Sequence, residues 1–323
     1  MPNDAPMDSP KSKQLLGFLF RAQKWGFNRC LAPGDECKSH AINSHSIQNA
    51  KVLDLLSRNG HVKMIKYEMK KDDFIIAFQD IGRNQASTFG GFCSDHDTEI
   101  FKPIDLQQID EANTEQLFLL AYRSVAKEVH SSMQAASISQ SAYQKRVTLG
   151  IDNGNEPEPA GMMAIERMMA AYNAHQYKLL LDEAIGQADY SRLEHISFWI
   201  DHAQPSCAVS ALFDIDKQAV DTEAPWVAMN LFPVSNSKSF VLFSFLPEEA
   251  PRARDYLREV VSASGDYQKY LLSRLVIKHC ENFVVAPAIF DTWSQDKAKD
   301  ICEFFRDTLR FDKAVDNSNL YLF

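Results

Sequence analysis

The chain has no run approaching the roughly 20 apolar residues that a membrane-spanning helix needs. Its start, MPNDAPMDSPKSK, lacks the apolar core of a signal peptide. These absences predict a cytoplasmic protein with no membrane partner, carrying a disordered tail over residues 1–12. Cysteine is scarce as well. Six in 323 residues are too few for a disulfide scaffold, and in a reducing compartment clustered thiols bind metal or are buried. Charge of neither sign announces a polyanion ligand. The net charge is -9, and residues 1–102 hold 14 Lys/Arg against 12 Asp/Glu while the remainder holds 20 against 31. The segment with the surplus of two is the one suited to approach nucleic acid, although a strong binder shows a far more basic face. Gly90-Gly91 lacks the spacing of a P-loop or a dinucleotide fingerprint and reads as a turn, within a turn-rich loop from Gly82 to Gly91. What is present, 45% hydrophobic and 24% charged residues, is the composition of an ordinary globular protein of two or three domains.

Metal-type residues gather in one stretch, Cys30 to Phe101. In CLAPGDEC, Pro33, Gly34 and Asp35 spell a tight turn between Cys30 and Cys37, the hairpin arrangement by which zinc knuckles aim two thiolates at one point. In GFCSDHDTEIF, Cys93 and His96 stand three apart, so both side chains fall on one helical turn, with Phe92, Ile100 and Phe101 as apolar packing. A thiolate hairpin followed by a ligand pair that opens a helix is the plan of a treble-clef finger. Tetrahedral coordination of a structural Zn2+ by Cys30, Cys37, Cys93 and His96 would supply folding energy to a module of about 70 residues, on the order of 10 kcal/mol. His40 and His45 are alternative ligands. Between the pairs, Ala50 to Leu56 has helical spacing, Asn59-Gly60 is a turn, and His61 to Tyr67 with Phe74 to Phe78 reads as a β-hairpin.

This order of residues resembles the HNH, or His-Me finger, endonucleases. Many of these carry a Glu-His-Ile-Ile-Pro signature inside such a zinc frame, followed by a second ligand pair and Asn. Ser44-His45-Ser46-Ile47-Gln48 stands at the signature and Cys93-Ser94-Asp95-His96-Asp97 at the second pair, with Ser44 in place of the acidic neighbour and Gln48 in place of proline. The resemblance covers about a fifth of the chain. It implies His45 as the general base that activates water, Asp97 in the Asn place as a ligand of a catalytic Mg2+, and DNA or RNA as substrate. A Cys-rich start, Ile-x-Ser-His-Ser-Ile-Gln and Gly-Phe-Cys-x-x-His-Asp also resemble uncharacterised bacterial proteins of antiphage defence loci. The alternative reading is a non-catalytic zinc finger that serves as a binding or adaptor module for nucleic acid or protein.

The rest of the chain carries no motif. Asn113 to Ala136 is helical, with Asn113 as N-cap and Leu117, Leu120, Ala121, Val125 and Val129 on one face. After the polar break 150–161, Met162 to Ala188 forms the second arm of an antiparallel helical hairpin. Its methionines, Met162, Met163, Met168 and Met169, suit interhelical packing or a homodimer contact. From residue 193 the pattern turns to strands, HISFWID, CAVSALFDI, WVAMNLFPV and SFVLFSFLP, with VSNSK as a hairpin turn. Helices follow over 248–262, 266–279 and 294–310. His195, Asp201, His202, Cys207, Ser210 and His279 to Asn282 are polar residues without a nucleophile signature or metal spacing, and buried structural roles are expected of them. The expected fold is α+β: a zinc-bound, ββα-like N-terminal module over 13–105, a helical hairpin over 106–190, and an antiparallel sheet with helices over 191–323. The last would sense a trigger or hold a protein partner.

Overall fold

The computed structural model describes residues 9–22, 25–34, 37–70, 73–156, 158–215, 225–309 and 320–323. Of the expected tail, residues 1–8 lie outside this range, and Pro10 already opens helix α1 (Pro10–Ala22). Asp35 of the expected turn also lies outside it, while its neighbour Gly34 takes φ +87°, the left-handed backbone a tight turn uses.

After α1 the chain forms β1 (Ile42–His45), a π-helical turn (Asn49–Leu53) and the short α2 (Asp54–Leu56). Asn59 and Gly60 then take φ of 53° and 74° between the mutually hydrogen-bonded Arg58 and His61, which is the two-residue turn that Asn-Gly favours. The hairpin β2 (His61–Lys70) and β3 (Asp73–Gly82) follows. The next element corrects the loop expected over Gly82 to Gly91. Its last residues belong to β4 (Thr88–Phe92), which pairs antiparallel with β1 and runs straight into α3 (Ser94–Asp105).

Helix α4 (Thr114–Thr148) is the centre of the molecule. Asn113 caps it, its side-chain oxygen accepting the Gln116 N–H at 3.2 Å. The apolar spacing of Phe118, Ala121, Tyr122, Val125 and Val129 buries one face against β4 and the second long helix, α5 (Pro159–Gln187). The two helices are antiparallel. Tyr143, late in α4, sits on Gly161 at the start of α5, where a Cβ would come within 3.0 Å of the ring, whereas Tyr122, early in α4, donates to Asp182 late in α5 at 2.7 Å. Alanines 164, 171 and 174 of α5 are buried, while Met162, Met163, Met168 and Met169 are 46–55% exposed. The methionines therefore face away from the interhelical seam.

Strands β5 (Glu194–Asp201), β6 (Cys207–Asp214), β7 (Trp226–Pro233) and β8 (Lys238–Phe245) and the three-residue β9 (Phe283–Val285) complete a seven-stranded antiparallel sheet, ordered β3-β2-β9-β6-β7-β8-β5. The β2–β3 hairpin, drawn from the first hundred residues, joins the C-terminal strands through the Lys63–Val285 pair. Alternation along the strands gives the sheet two apolar faces. Leu242 and Phe240 meet Leu117 of α4 on one side. On the other, Met229, Val241 and Phe243 belong to the main core with α6 (Ala250–Ser262), α7 (Gly265–His279) and α9 (Gln295–Leu309), with the short α8 (Pro287–Phe290) at its margin. The amphipathic spacing of Ala250, Ala253, Leu257 and Val260 seats α6 there. Helices thus cover both faces of one sheet, and α4 stands between that sheet and the β1–β4–α3 unit.

Candidate metal centre

The two cysteine–histidine segments meet at the start of α3. Cys93 is the N-cap of the helix and His96 lies in its first turn. The β1–β4 pairing lays Gly91 beside the incoming chain, where its carbonyl accepts the Leu31 N–H at 2.7 Å, which delivers Cys30 to the same point. The ligand atoms of Cys30, Cys37, Cys93 and His96 all lie within 4.8 Å of one another. Cys37 and Cys93 sulfurs are 3.8 Å apart, and His96 Nδ1 is 3.3 Å from Cys30 Sγ and 3.4 Å from Cys93 Sγ. A tetrahedral Zn2+ with bonds of about 2.3 Å to sulfur would hold two sulfurs about 3.8 Å apart. The four side chains can therefore bind a metal ion, and their spacing is consistent with a structural zinc.

The chemistry of the donor set agrees. Burial pushes the Cys30 thiol up to about 11, against the lowering effect of the Ala32 and Cys93 backbone N–H groups, and the Cys93 N–H donates to Cys30 Sγ at 3.4 Å. Cys37 is held below its ordinary value, chiefly by the Ser39 backbone N–H. Thiols crowded this closely become thiolates when a dication neutralises them, and a helix N-terminus favours the same charge. Among the described residues this is the one grouping of metal-type side chains; the exposed His40 and the half-buried His45 stand outside it.

His45 ends β1. Its Nε2 lies 3.2 Å from the Arg83 carbonyl oxygen. A carbonyl can only accept, so Nε2 carries the proton and Nδ1 keeps the lone pair. Burial lowers the His45 pKa; the Arg83 carbonyl and the charges of Asp97 and Asp105 oppose this, and Arg123 adds to it. Asp97 lies in the first turn of α3. Its carboxyl is raised by burial, with the Arg123 guanidinium pulling the other way, and its Oδ1 has no hydrogen-bond partner among the described residues. The two residues thus act on each other electrostatically beside the metal-type cluster.

Arg123 and Asp105 complete the setting. Arg123, buried on α4, makes two hydrogen bonds of 2.9 and 2.7 Å to the Asp105 carboxylate and lies over the Phe101 ring at 4.0 Å. Sequence reasoning passed over both residues. A lone cation inside the apolar run LFLLAYRSVA was the available signal, because a buried arginine must be paired.

The polar residues of the C-terminal half are spread over the sheet and the helices packed on it. His195 shares a 2.8 Å hydrogen bond with Ser244 and His202 one of 2.9 Å with Ser239, Tyr256 and His279 are joined at 2.6 Å, and burial raises the Cys207 thiol to about 12. Buried histidines give the fold an acid sensitivity. Burial, together with the Lys127 charge for His130, pushes both His130 and His195 to about 4. The unfolded chain takes up protons below about pH 6.5 that the folded chain refuses until about 4. This contribution is fully present above about 6.5 and is lost on acidification, by on the order of 3 kcal/mol for the buried His130. Replacing His130, which packs edge-on against Phe27 and Phe89, with Phe should make the loss between pH 7 and 4.5 smaller by about 2 kcal/mol in urea titrations. Parallel pH profiles for the two proteins would contradict this.

No protein-family profile matches the chain, and no curated protein or solved structure is significantly similar to it. No helix among the described residues is long and apolar enough to cross a membrane.

Proposed function

We propose that the chain is a cytoplasmic nuclease of the His-Me finger type, in which a structural zinc on Cys30, Cys37, Cys93 and His96 holds a ββα unit that hydrolyses phosphodiester bonds of DNA or RNA. The observation that carries this reading is the Arg83 carbonyl on His45 Nε2. It leaves Nδ1 as the basic atom of a half-buried imidazole with a lowered pKa, a base that is unprotonated at neutral pH. His45 ends β1, which pairs with β4, and Asp97 lies in the first turn of α3 directly after β4, an order that supports reading them as base and metal ligand. Asp97, with an unpartnered oxygen among the described residues, would hold Mg2+, whose chemistry is to stabilise negative charge on the phosphate and the leaving oxygen. His45 would take the proton of the attacking water.

The C-terminal sheet and its helices would sense a trigger or hold a protein partner, as in a phage-defence protein. The exposed stripe of Met162, Met163, Ile165, Met168, Met169 and Tyr172 on α5 supports a protein contact of the helical hairpin, including a homodimer. The same stripe favours the second reading, a zinc-built adaptor without catalysis. Incubating purified protein with plasmid DNA and with RNA in the presence of Mg2+ separates the two. Cleavage by wild type and its loss in His45→Ala support the nuclease, whereas a wild type that cuts nothing with Mg2+ or Mn2+ leaves the adaptor.

A further inference from the structure

The far half of the helical hairpin is packed inside out. Residues 131–148 of α4 and 159–172 of α5 form an arm in which the fully buried apolar residues, among those described, are three alanines: Ala136, Ala164 and Ala171. The large apolar side chains stand outside instead. Eight of them on α5, from Met162 to Leu180, are 38–58% exposed. Their spacing is regular: Met162, Ile165, Met169, Tyr172 and Leu179 recur at intervals of 3, 4, 3 and 7 residues, which are the a and d positions of a coiled-coil seam. At 3.6 residues per turn this stripe lies on the side opposite the buried Ala171, Ala174 and Leu181. A helix that is apolar all round belongs inside a core, yet α4 covers one side of this one and the other faces solvent.

Area, charge and symmetry say what covers it. The eight exposed portions, on the order of 100 Å² each, match the roughly 800 Å² that each partner gives to a standard interface. Between Met162 and Leu180 the stripe is uncharged: Glu166 and Arg167 lie to its sides, and Lys178 is buried in an ion pair with Asp182 at 2.6 Å. Arg167 is the one exposed cation of α5 among the described residues, so the basic rim with which a surface helix grips a membrane is missing. A stripe that pairs with itself must carry matching residues on either side of one point. This one does, about the midpoint between Ala170 and Ala171, where Met169 stands against Tyr172 and Met162 against Leu179.

We propose that the occupant is a second copy of this chain, its α5 antiparallel to the first, so that the two hairpins make a four-helix bundle. A two-fold axis at the midpoint sets each Met169 beside a Tyr172 and each Met162 beside a Leu179. It also sets Ile165 beside the exposed Gln176, and a single polar residue in such a seam fixes the register. The proposal rests on the reading of the stripe as a protein contact and is independent of the nuclease reading.

Sedimentation equilibrium of the full-length, metal-replete protein tests it. At about 50 µM, above the micromolar weak end for an interface of this size, wild type should be a dimer. Met169→Glu should raise the dimer dissociation constant at least about hundredfold, because it buries a charge without a partner. Val261→Glu, at another partly exposed apolar residue but on α6, should leave it within about twofold. The antiparallel sense has its own readout. Met162→Glu and Leu179→Lys should each weaken the dimer by about tenfold or more, and the double variant should recover most of the loss, because each glutamate then meets a lysine of the other copy. These side chains are exposed in the single chain, so the substitutions leave its fold intact. A dimer indifferent to Met169→Glu would overturn the proposal, and a double variant weaker than either single one would overturn the antiparallel pairing. A monomeric wild type would also overturn it. If that monomer holds a different protein on the stripe, the second copy alone is refuted and the reading of the stripe as a protein contact stands.

Discussion

Replacing Cys93 with Ser is expected to release the metal and to lower the melting temperature by on the order of 10 °C or more. Cys93 is almost wholly buried, caps α3, and lies within 4 Å of both the Cys37 sulfur and the His96 ring nitrogen. A structural zinc supplies roughly 10–16 kcal/mol of apparent folding free energy in small fingers, comparable to the 5–15 kcal/mol by which a whole domain is stable. The loss here should be local. Phe92 packs edge-on against Phe101 with ring centroids 5.0 Å apart and reaches Tyr122 of α4 at 6.3 Å, so an apolar core shared with α4 persists when the metal is gone. Hydrogen exchange should therefore show β1, β4 and α3 losing protection while β6, β7 and β8 keep theirs. An unchanged melting temperature, or uniform loss of protection across the sheet, would count against a metal-built unit.

His45→Ala should reduce Mg2+-dependent cleavage about 10²- to 10⁴-fold, the range that a positioned general base contributes, while metal content and melting temperature stay near wild type. Among the described residues the half-buried ring of His45 makes one hydrogen bond, so its removal costs little stability. The pH dependence carries the sign. A base acts in its unprotonated form, and burial lowers the His45 pKa below its ordinary 6.5. The rate should rise with pH through the acid range and be flat by neutrality. A rate that instead fell as pH rose through this range, or cleavage retained in the alanine variant, would remove His45 from the role.

The metal-type residues were legible because both halves of the set carry short-range signals. Pro33-Gly34 folds one thiol pair toward a point, and the Cys93-to-His96 spacing fits one helical turn. The strands 194–201, 207–214, 226–233 and 238–245 were legible because their β-rich runs are bounded by turns, and the two long helices because of their 3.6-residue period. Strand β4 was hidden by its glycines, which read as a loop. At Gly91 the close approach requires glycine: a Cβ there would fall 2.3 Å from the ring of the buried Phe89. The junction of the β2–β3 hairpin with the C-terminal sheet was hidden for another reason. It passes through the three residues Phe283–Val285, too short a run to declare itself, and pairs segments far apart in the chain. Likewise the hydrogen-bonded Ser124, Ser210 and Asn230 join α4, β6 and β7, and no local pattern announces a polar cluster built from three distant elements. Met162 to Met169 show the limit of composition alone, since small alanines occupy the seam and the methionines remain exposed.

X-ray absorption at the zinc edge of the purified full-length protein addresses the central claim most directly. A metal held by Cys30, Cys37, Cys93 and His96 predicts a four-coordinate shell of three sulfurs at about 2.3 Å and one nitrogen at about 2.0 Å, at one zinc per chain, lost in Cys93→Ser. Protein that contains no zinc, or zinc in a shell of oxygen and nitrogen without sulfur, would contradict it.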